Sequence, residues 1–240
     1  MIALLAMIQV LGYKLRVAED LYHIPTMETR AQTQSKQALA LLQARGIMRL
    51  TEFMEQGISA AAIQRLVQRG LVLRLARGLY QLPGAALDPH HSLAEAAKRV
   101  SKGVVCLTSA LAFHELTDTM PSRVWMAIGL KDWRPQITEP PLQFARFGPK
   151  VLNAGIEAHK IEGAVVRIYN PAKTIVDMFR YRHAAGTRYR HSPGLNLAIE
   201  GLREGLRTRK ASASAIAKFA EEAGAWKIIE PYLDALTANA

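Results

Sequence analysis

Cysteine is almost absent from this 240-residue chain, in which Cys106 stands alone. A single cysteine excludes an internal disulfide and any zinc site made of several thiolates. Because Cys106 lies in the apolar run 104–107, we interpret it as a small buried hydrophobic side chain. A reducing compartment, the cytoplasm, is the expected location.

Long apolar runs are missing as well. Residues 1–11 are apolar, but they are too few to cross a bilayer and no basic residue precedes them, so no membrane partner is expected. Met27 opens the polar stretch METRAQTQSKQ, which is typical of a bacterial start. We therefore expect residues 1–26 to be an N-terminal extension of low importance or a start-site artefact.

Signatures of catalysis are the third absence. The sequence has no glycine-rich phosphate loop, no GxSxG and no HExxH. His90 and His91 are adjacent, so they point to different sides of a helix and make a poor metal pair. His114 and His159 have no partner at ligand spacing. We expect no enzymatic activity, no cofactor and no metal.

One catalytic alternative stays open, a nuclease site built from Glu157, Lys173 and Asp177. The simpler interpretation rests on the spacing of Lys173 and Asp177, which are four residues apart in a predicted helix. This is the spacing of an ion pair on a helix surface.

Acidic residues are in short supply. Twenty Asp and Glu stand against 31 Lys and Arg, which gives a formal net charge of +11 and a pI near 10.0. This excess favours contact with a polyanion such as nucleic acid or an acidic membrane. The alternative is a protein whose charge serves only its solubility.

The residues that are present predict an α+β fold in three parts. After the extension, residues 27–84 follow the order helix, short helix, helix, hairpin, and 84–90 is the predicted linker because proline and glycine punctuate it. Residues 85–240 form a predicted larger mixed α/β domain with strands RVWMAIGL and AVVRIYN, a helix that Pro171 opens, and a helical tail. Trp133 and Phe144 are interpreted as aromatic anchors of a loop with short strands.

The stretch 51–70 predicts a helix-turn-helix. Thr51 and Ser59 are the candidate N-caps, and Gly57 supplies the turn. At about 100° per residue, the apolar residues of the second helix face the core. Those residues are Ile63, Leu66, Val67 and Gly70, whereas the opposite face carries Ala61, Gln64, Arg65, Gln68 and Arg69.

This outer face is predicted to read DNA, because it contains no acidic residue whereas a solvent face normally mixes charges of both signs. Glutamine and arginine make bidentate hydrogen bonds to adenine and guanine edges. The small side chain of Ala61 lets the helix approach a groove closely.

The following segment, LVLRLARGLYQLP, predicts a two-stranded wing. Gly78 can take the positive φ that the turn requires, and Arg74 and Arg77 lie near the hairpin edge, where a wing reaches phosphates or the minor groove. Residues 27–84 carry eight basic and three acidic side chains, a net charge of +5. Double-stranded DNA is therefore the predicted partner, and a protein-interaction winged helix is the alternative.

A second basic stretch spans 180–191 and contains no acidic residue. It carries Arg180, Arg182, Arg188 and Arg190, interleaved with Tyr181 and Tyr189. Guanidinium groups that alternate with aromatic rings suit phosphate contact and base stacking. The alternative is a solvated basic loop whose tyrosine rings close the edge of a core.

Three motifs together resemble the AbiEi antitoxins of type IV toxin–antitoxin (abortive infection) systems: ARGLYQLPG, CLTSALAFHELT and, above all, RIYNPAKTIVDMFRYRH. The resemblance implies a winged helix that binds inverted repeats in its own promoter and represses the operon. It also implies a C-terminal domain associated with antitoxicity and cooperative DNA binding, to which we assign the four arginines. The implied functional partner is a nucleotidyltransferase toxin, without a stable complex, and the antitoxin is expected to be a monomer in solution.

Three hypotheses remain at this point. The leading one is a DNA-binding autorepressor and antitoxin. The second is a nucleic-acid-processing enzyme that a winged helix targets to its substrate. The third is an interaction module that forms a stable complex with a toxin.

Overall fold

The structure is a computed structural model that describes residues 27–85, 88–182 and 194–238, with only the backbone given for 27–31. The extension 1–26 and the predicted site residues Arg188 and Arg190 lie outside the described residues. None of the helices in these ranges combines the length and the apolar composition that a membrane span requires.

Residues 27–81 form three helices and a three-stranded antiparallel sheet, which we call the winged-helix unit. Its strands lie in the order β1-β3-β2, so that β1 extends the predicted hairpin to a sheet of three strands. The elements are α1 (Met27–Arg45), β1 (Met48–Arg49), α2 (Leu50–Glu55), α3 (Ala60–Gln68), β2 (Leu73–Ala76) and β3 (Leu79–Gln81). A hydrophobic cluster centred on Leu42, Phe53, Ile63 and Leu66 holds the helices against the sheet.

The remaining described residues build a five-stranded mixed sheet with helices around it, which confirms the predicted α+β class with a helical tail. The strand order is β6-β5-β4-β8-β7, with parallel pairs β5–β6 and β4–β8. The elements are α4 (His91–Arg99), β4 (Val104–Val105), α5 (Leu107–Phe113), β5 (Val124–Gly129), β6 (Leu142–Phe147), α6 (Pro149–Leu152), β7 (Ile156–Ile161), β8 (Ala164–Tyr169), α7 (Pro171–Arg180), α8 (Leu195–Arg207), α9 (Ala213–Glu222) and α10 (Trp226–Thr237).

The two faces of this sheet have different cover, as the alternation along β5 shows. Trp125 and Ala127 face a core shared with α5 and α7 to α10. Met126 and Ile128 face the opposite core, which includes α4 and also Ile47 and Leu79 of the winged-helix unit. The winged-helix unit therefore packs on the second face of the sheet.

A polar contact joins the two parts beside this shared core. The Nζ of Lys98 in α4 lies 2.7 Å from Oε1 and 2.9 Å from Oε2 of Glu52 in α2. Both side chains are partly shielded from solvent, which strengthens their attraction relative to an exposed ion pair. α2 is thus held to α4 by charge as well as by apolar packing.

The segment that joins β5 to β6 differs from its prediction at one aromatic residue. Phe144 is buried as expected, and Arg134 lies over its ring, 5.6 Å from the centroid. Trp133, by contrast, is 78% exposed, so the interpretation of Trp133 as an anchor is wrong. In this segment Ile137 packs against the core instead, and the Trp133 indole remains in solvent.

Candidate nucleic-acid interface

The turn between α2 and α3 is fixed by polar contacts from two helices. The Oγ of Ser59 accepts a hydrogen bond from the backbone N of Ala62 at 3.3 Å, so Ser59 is the predicted N-cap. The Ser59 hydroxyl also donates to Oε1 of Gln34 at 2.9 Å, and Nε2 of Gln34 donates to the carbonyl of Gly57 at 3.0 Å. Gly57 has a φ of +75°, as the turn requires.

The N-cap predicted at Thr51 is wrong. Arg49 holds that position because it is still paired with Leu79 in the sheet and therefore has an extended backbone. Its N–H donates to Oε2 of Glu52 at 2.6 Å, which satisfies one of the free donors at the start of α2. Thr51 lies exposed in the first turn of the helix.

The faces of α3 follow the helical wheel at every predicted position except Gly70. Gly70 was predicted to face the core, but it is exposed because the helix ends at Gln68 and Gly70 lies in the turn that follows. Ala62, Ile63 and Leu66 are buried against α1 and the sheet, and Val67 is half-buried. The five residues of the predicted outer face are all exposed: Ala61, Gln64, Arg65, Gln68 and Arg69. The structure therefore presents this acid-free face to solvent as one surface.

The wing forms as predicted, with a two-residue turn. Ala76 pairs with Leu79, so Arg77 and Gly78 make the turn, and Gly78 has a φ of +72°. The carbonyl of Gly78 accepts a hydrogen bond from the backbone N of Leu50 at 2.9 Å, which ties the wing to the start of α2. Arg74 and Arg77 are both exposed.

The guanidinium groups of this surface are available for an external anion. Within the described ranges, no carboxylate lies within ion-pair distance of Arg65, Arg69, Arg74 or Arg77. The contacts that two of them make go to backbone carbonyls: Arg65 Nε donates to Ala61 and Arg74 Nε to Ala76, each at 3.3 Å. A phosphate or a base edge can therefore approach them without breaking an ion pair.

Lys173 and Asp177 form a buried pair, so their predicted place on the surface is wrong. Both side chains are at most 1% exposed, and the Nζ of Lys173 donates to Oδ2 of Asp177. The other carboxylate oxygen accepts from Arg180 at 3.1 Å. The helix spacing was interpreted correctly, but this side of α7 packs inside the fold, where the rings of Phe147 and Tyr169 lie against the Lys173 ammonium.

Burial shifts the pKa of each member of the pair toward its neutral form. Desolvation raises the pKa of the Asp177 carboxyl, and the two neighbouring cations oppose that rise. Desolvation likewise lowers the pKa of Lys173, whose ammonium lies over the ring of Tyr169, 4.3 Å from the centroid. Glu157, by contrast, is exposed on β7. The three residues of the nuclease alternative therefore do not share an accessible site.

Of the predicted basic patch, two members are described. Arg180 is half-buried, pairs with Asp177 and lies over the ring of Phe147 at 5.7 Å. Arg182 donates to the carbonyl of Phe179 at 2.8 Å. Arg180 therefore has a structural task that its sequence context did not reveal.

Two of the described histidines, His91 and His114, make structural contacts. Nδ1 of His91, at the start of α4, lies 2.7 Å from Oε2 of Glu162. Nε2 of His114 lies 2.7 Å from the carbonyl of Tyr169, and burial lowers the pKa of His114. Among the residues that the structure describes, no three His, Cys, Asp or Glu side chains come together in a way that would hold a metal ion. Cys106 is buried, which raises the pKa of its thiol.

Comparison with known proteins finds a matching family model and solved structures of similar fold. The crystal structure of the RV2827C protein from Mycobacterium tuberculosis is similar with a TM-score of 0.52 and 16% identity, over 84% of this chain and 76% of that chain. At this identity the likeness shows the fold alone. No curated protein sequence matches the chain.

The family match falls on the winged-helix unit. Residues 36–83 match the family described as "Transcriptional regulator, AbiEi antitoxin". The matched segment runs from α1 to the end of the wing and includes every residue of the surface described above. Over these residues the chain therefore matches the AbiEi antitoxin transcriptional regulators, the family that its motifs resemble.

Proposed function

We propose that this protein is the cytoplasmic, DNA-binding autorepressor and antitoxin of a type IV toxin–antitoxin operon. The observation that carries the proposal is the acid-free outer face of α3. It stands beside two wing arginines without carboxylate partners among the described residues. The family match to antitoxin transcriptional regulators supports the same function.

In the proposed complex, α3 enters the major groove of double-stranded DNA. Gln64, Arg65 and Gln68 are aligned on its exposed face, where glutamine reads adenine and arginine reads guanine. The small side chain of Ala61 allows the start of α3 to approach the groove closely, and Arg69 extends the surface toward the adjacent DNA backbone.

The other predicted site residues position the unit on the phosphates. Arg74 and Arg77 reach the backbone or minor groove from the wing, and Gly78 allows the tight turn that presents them. Thr51 lies exposed in the first turn of α2, and Ser59 caps the start of α3; DNA phosphates are commonly bound at helix N-termini of this kind.

The operator that we propose is a pair of inverted repeats in the promoter of the protein's own operon. Two copies that are monomers in solution then bind cooperatively, with half-site centres one DNA turn, about 34 Å, or a multiple of it apart. Repression follows because the bound pair covers the promoter.

The antitoxin activity is assigned to residues 85–240 and acts against a nucleotidyltransferase toxin without a stable complex. Arg182, Arg188 and Arg190 are the residues through which we expect it to act. Arg180 shares the segment, but its ion pair with buried Asp177 makes it a poor test residue.

Two assays test this function. In a gel shift with the DNA upstream of the gene, the full chain should bind, and a triple variant Gln64→Ala, Arg65→Ala, Gln68→Ala should not. Arg203→Ala, an exposed arginine on α8, is the matched control. Equal binding by the triple variant and the control contradicts the proposed interface.

The second assay measures growth when the toxin is co-expressed. The wild-type chain should rescue growth, and the variant with Arg182, Arg188 and Arg190 changed to glutamine should not. Affinity purification of the tagged protein should recover no stoichiometric toxin. A stable co-purifying complex would support the interaction-module hypothesis instead.

A further inference from the structure

A basic cleft runs between the winged-helix unit and the segment that joins β5 to β6. It has a volume of about 870 Å³ and opens broadly to solvent. One wall comes from β1, the start of α2 and the wing; the other comes from α4 and residues 133–137. The cleft therefore exists only because the winged-helix unit packs on the larger sheet.

The charge of this cleft has a single sign. Five basic residues and no acidic residue line it: Arg49, Arg74, Arg77, Lys98 and Arg99. Lys98 and Arg99 are engaged by Glu52 and Glu95. Within the described part of the chain, the other three have no carboxylate partner, so the cleft presents unneutralised guanidinium groups to an anion.

The opposite wall presents an aromatic ring. Trp133 is 78% exposed and lines the cleft together with Pro135 and Ile137. A tryptophan side chain is rarely left so exposed, because its large apolar surface is costly to hydrate. A ligand that has both a flat apolar ring and an anionic group can stack on this exposed indole and also bind the free guanidinium groups.

The position of Trp133 is fixed from both sides. Before it, the backbone N of Gly129 donates to Oδ2 of Asp132 at 2.8 Å, and Arg146 donates to the carbonyl of Gly129 at 3.0 Å. After it, Arg134 lies over the ring of Phe144, and Ile137 packs against the core. The chain is anchored on each side of the indole, which reduces the entropy lost when a ligand stacks on it.

We propose that this cleft binds a single strand of nucleic acid, with an unpaired base stacked on Trp133 and adjoining phosphates held by Arg49 and Arg77. Stacking requires a free base face, and in a duplex each base face is covered by its neighbours. The cleft opens broadly to solvent, so a strand can continue beyond it, whereas a free nucleotide gains from an enclosed pocket.

This site is distinct from the duplex-reading face of α3. Trp133 and Arg49 belong to the cleft and not to that face, whereas Arg65 belongs to that face and does not line the cleft. Thr51, Arg74, Arg77 and Gly78 belong to both surfaces, so they are unsuitable for separating the two activities. Variants at Trp133 and Arg49 change the cleft alone and therefore test single-strand binding separately from operator binding.

The test uses the full chain and fluorescence anisotropy of a labelled oligothymidylate of about 12 nucleotides, within the usual site size of a single-strand groove. Thymidine monophosphate and a duplex containing the upstream DNA serve as competitors. The variants are Trp133→Ala, Trp133→Phe and Arg49→Gln. Met120→Ala is the control, because Met120 is 80% exposed and does not line the cleft.

The wild-type chain should bind the single strand, and Trp133→Ala should weaken that binding roughly 5- to 150-fold. Trp133→Phe should retain most of the affinity, since phenylalanine also stacks, and Arg49→Gln should flatten the salt dependence. Neither Trp133 variant should change the affinity for the duplex.

Three results overturn the proposal. One is a single-strand affinity that Trp133→Ala leaves at the wild-type value. The second is a loss of duplex affinity on Trp133→Ala equal to the loss for the single strand, which would make the cleft part of the duplex interface. The third is competition by the mononucleotide as strong as by the oligonucleotide. If operator binding failed while single-strand binding remained intact and dependent on Trp133, the result would contradict the proposed repressor but not the proposed single-strand site.

Discussion

Gly163, in the turn between β7 and β8, lies directly against the carbonyl of Arg45 at the end of α1. A Cβ added to Gly163 would stand 1.8 Å from that oxygen, and one added to Gly46 would stand 2.0 Å from the carbonyl oxygen of Glu162. The backbone N of Ile47 also donates to that Glu162 carbonyl at 3.3 Å. Two turns with positive φ therefore meet backbone to backbone and join the winged-helix unit to the sheet.

Gly163→Ala should loosen this junction. The methyl group cannot fit beside the Arg45 carbonyl, so the two turns must separate, and the free energy of unfolding should fall. The control is Gly224→Ala, which has a similar φ of +65° and open space around it, so that it carries only the backbone strain. Urea denaturation should show Gly163→Ala to be less stable than the control by about 1–3 kcal/mol. Equal stabilities would mean that the contact is not retained in solution.

Arg65→Ala and Arg77→Ala should weaken DNA binding in different ways. Arg65 lies on the outer face of α3, so its loss should cost about 1–3 kcal/mol on the operator and much less on unrelated DNA. Arg77 is in the turn of the wing, where the proposed complex places it against phosphates, so its loss should weaken both alike and reduce the salt slope by about one. Binding isotherms at several salt concentrations measure both effects. Identical behaviour of the two variants would contradict the assignment of helix and wing.

Asp177→Ala should destabilise the fold strongly. Removal of this buried carboxylate leaves Lys173 and Arg180 without their counter-charge, and the expected loss is about 3–5 kcal/mol in urea denaturation. Glu204→Ala, which breaks an ion pair with exposed Arg207, is the control and should have a small effect.

A double variant separates charge from packing at this site. Lys173→Met with Asp177→Leu removes both buried charges and should recover much of the stability that Asp177→Ala loses. A double variant no more stable than the single one would show that unpaired Lys173 does not cause the loss, and would assign it to packing or to the remaining unpaired Arg180.

The stability of the protein should depend on pH through His114. Burial lowers the pKa of this imidazole in the folded state below its ordinary value of 6.5, so the unfolded chain takes up the proton first as the pH falls. The contribution of His114 is therefore fully present above pH 6.5 and is lost as the pH falls toward the lowered pKa. His114→Gln keeps a donor for the Tyr169 carbonyl and does not titrate.

The measurement is the free energy of unfolding at about pH 7.5 and about pH 5.5, on either side of the ordinary histidine pKa. The wild-type chain should lose more stability over this interval than His114→Gln. Parallel losses in the two proteins would show that another group controls the acid dependence.

The winged-helix unit was predictable from local patterns. The 3.6-residue period of α3 separates Ile63 and Leu66 from Gln64 and Arg65, and the Ser59 cap and Gly57 mark where that helix begins. β1 could not be predicted, because a strand of two residues shows no periodicity. The start of α2 was therefore also predicted wrongly, with Thr51 in place of Arg49 as the N-cap. The hydrogen bond between Ser59 and Gln34 could not be predicted from local patterns, because it joins residues 25 positions apart.

No local sequence pattern marks the residues that line the cleft. Arg49 and Trp133 are far apart in the chain, and an isolated tryptophan in a proline-rich loop is more often a packing anchor than an exposed ring.

By itself, the sequence determined the class of the fold, the two faces of α3, the turn of the wing and the sign of the charge that the protein carries. These properties depend on residues within a few positions of one another, so periodicity and turn chemistry suffice to predict them. The tertiary structure decided which polar residues reach solvent. It buried Lys173 and Asp177, exposed Trp133, and brought the wing and that indole to the same cleft. Burial depends on which distant elements pack together, and no local pattern records that.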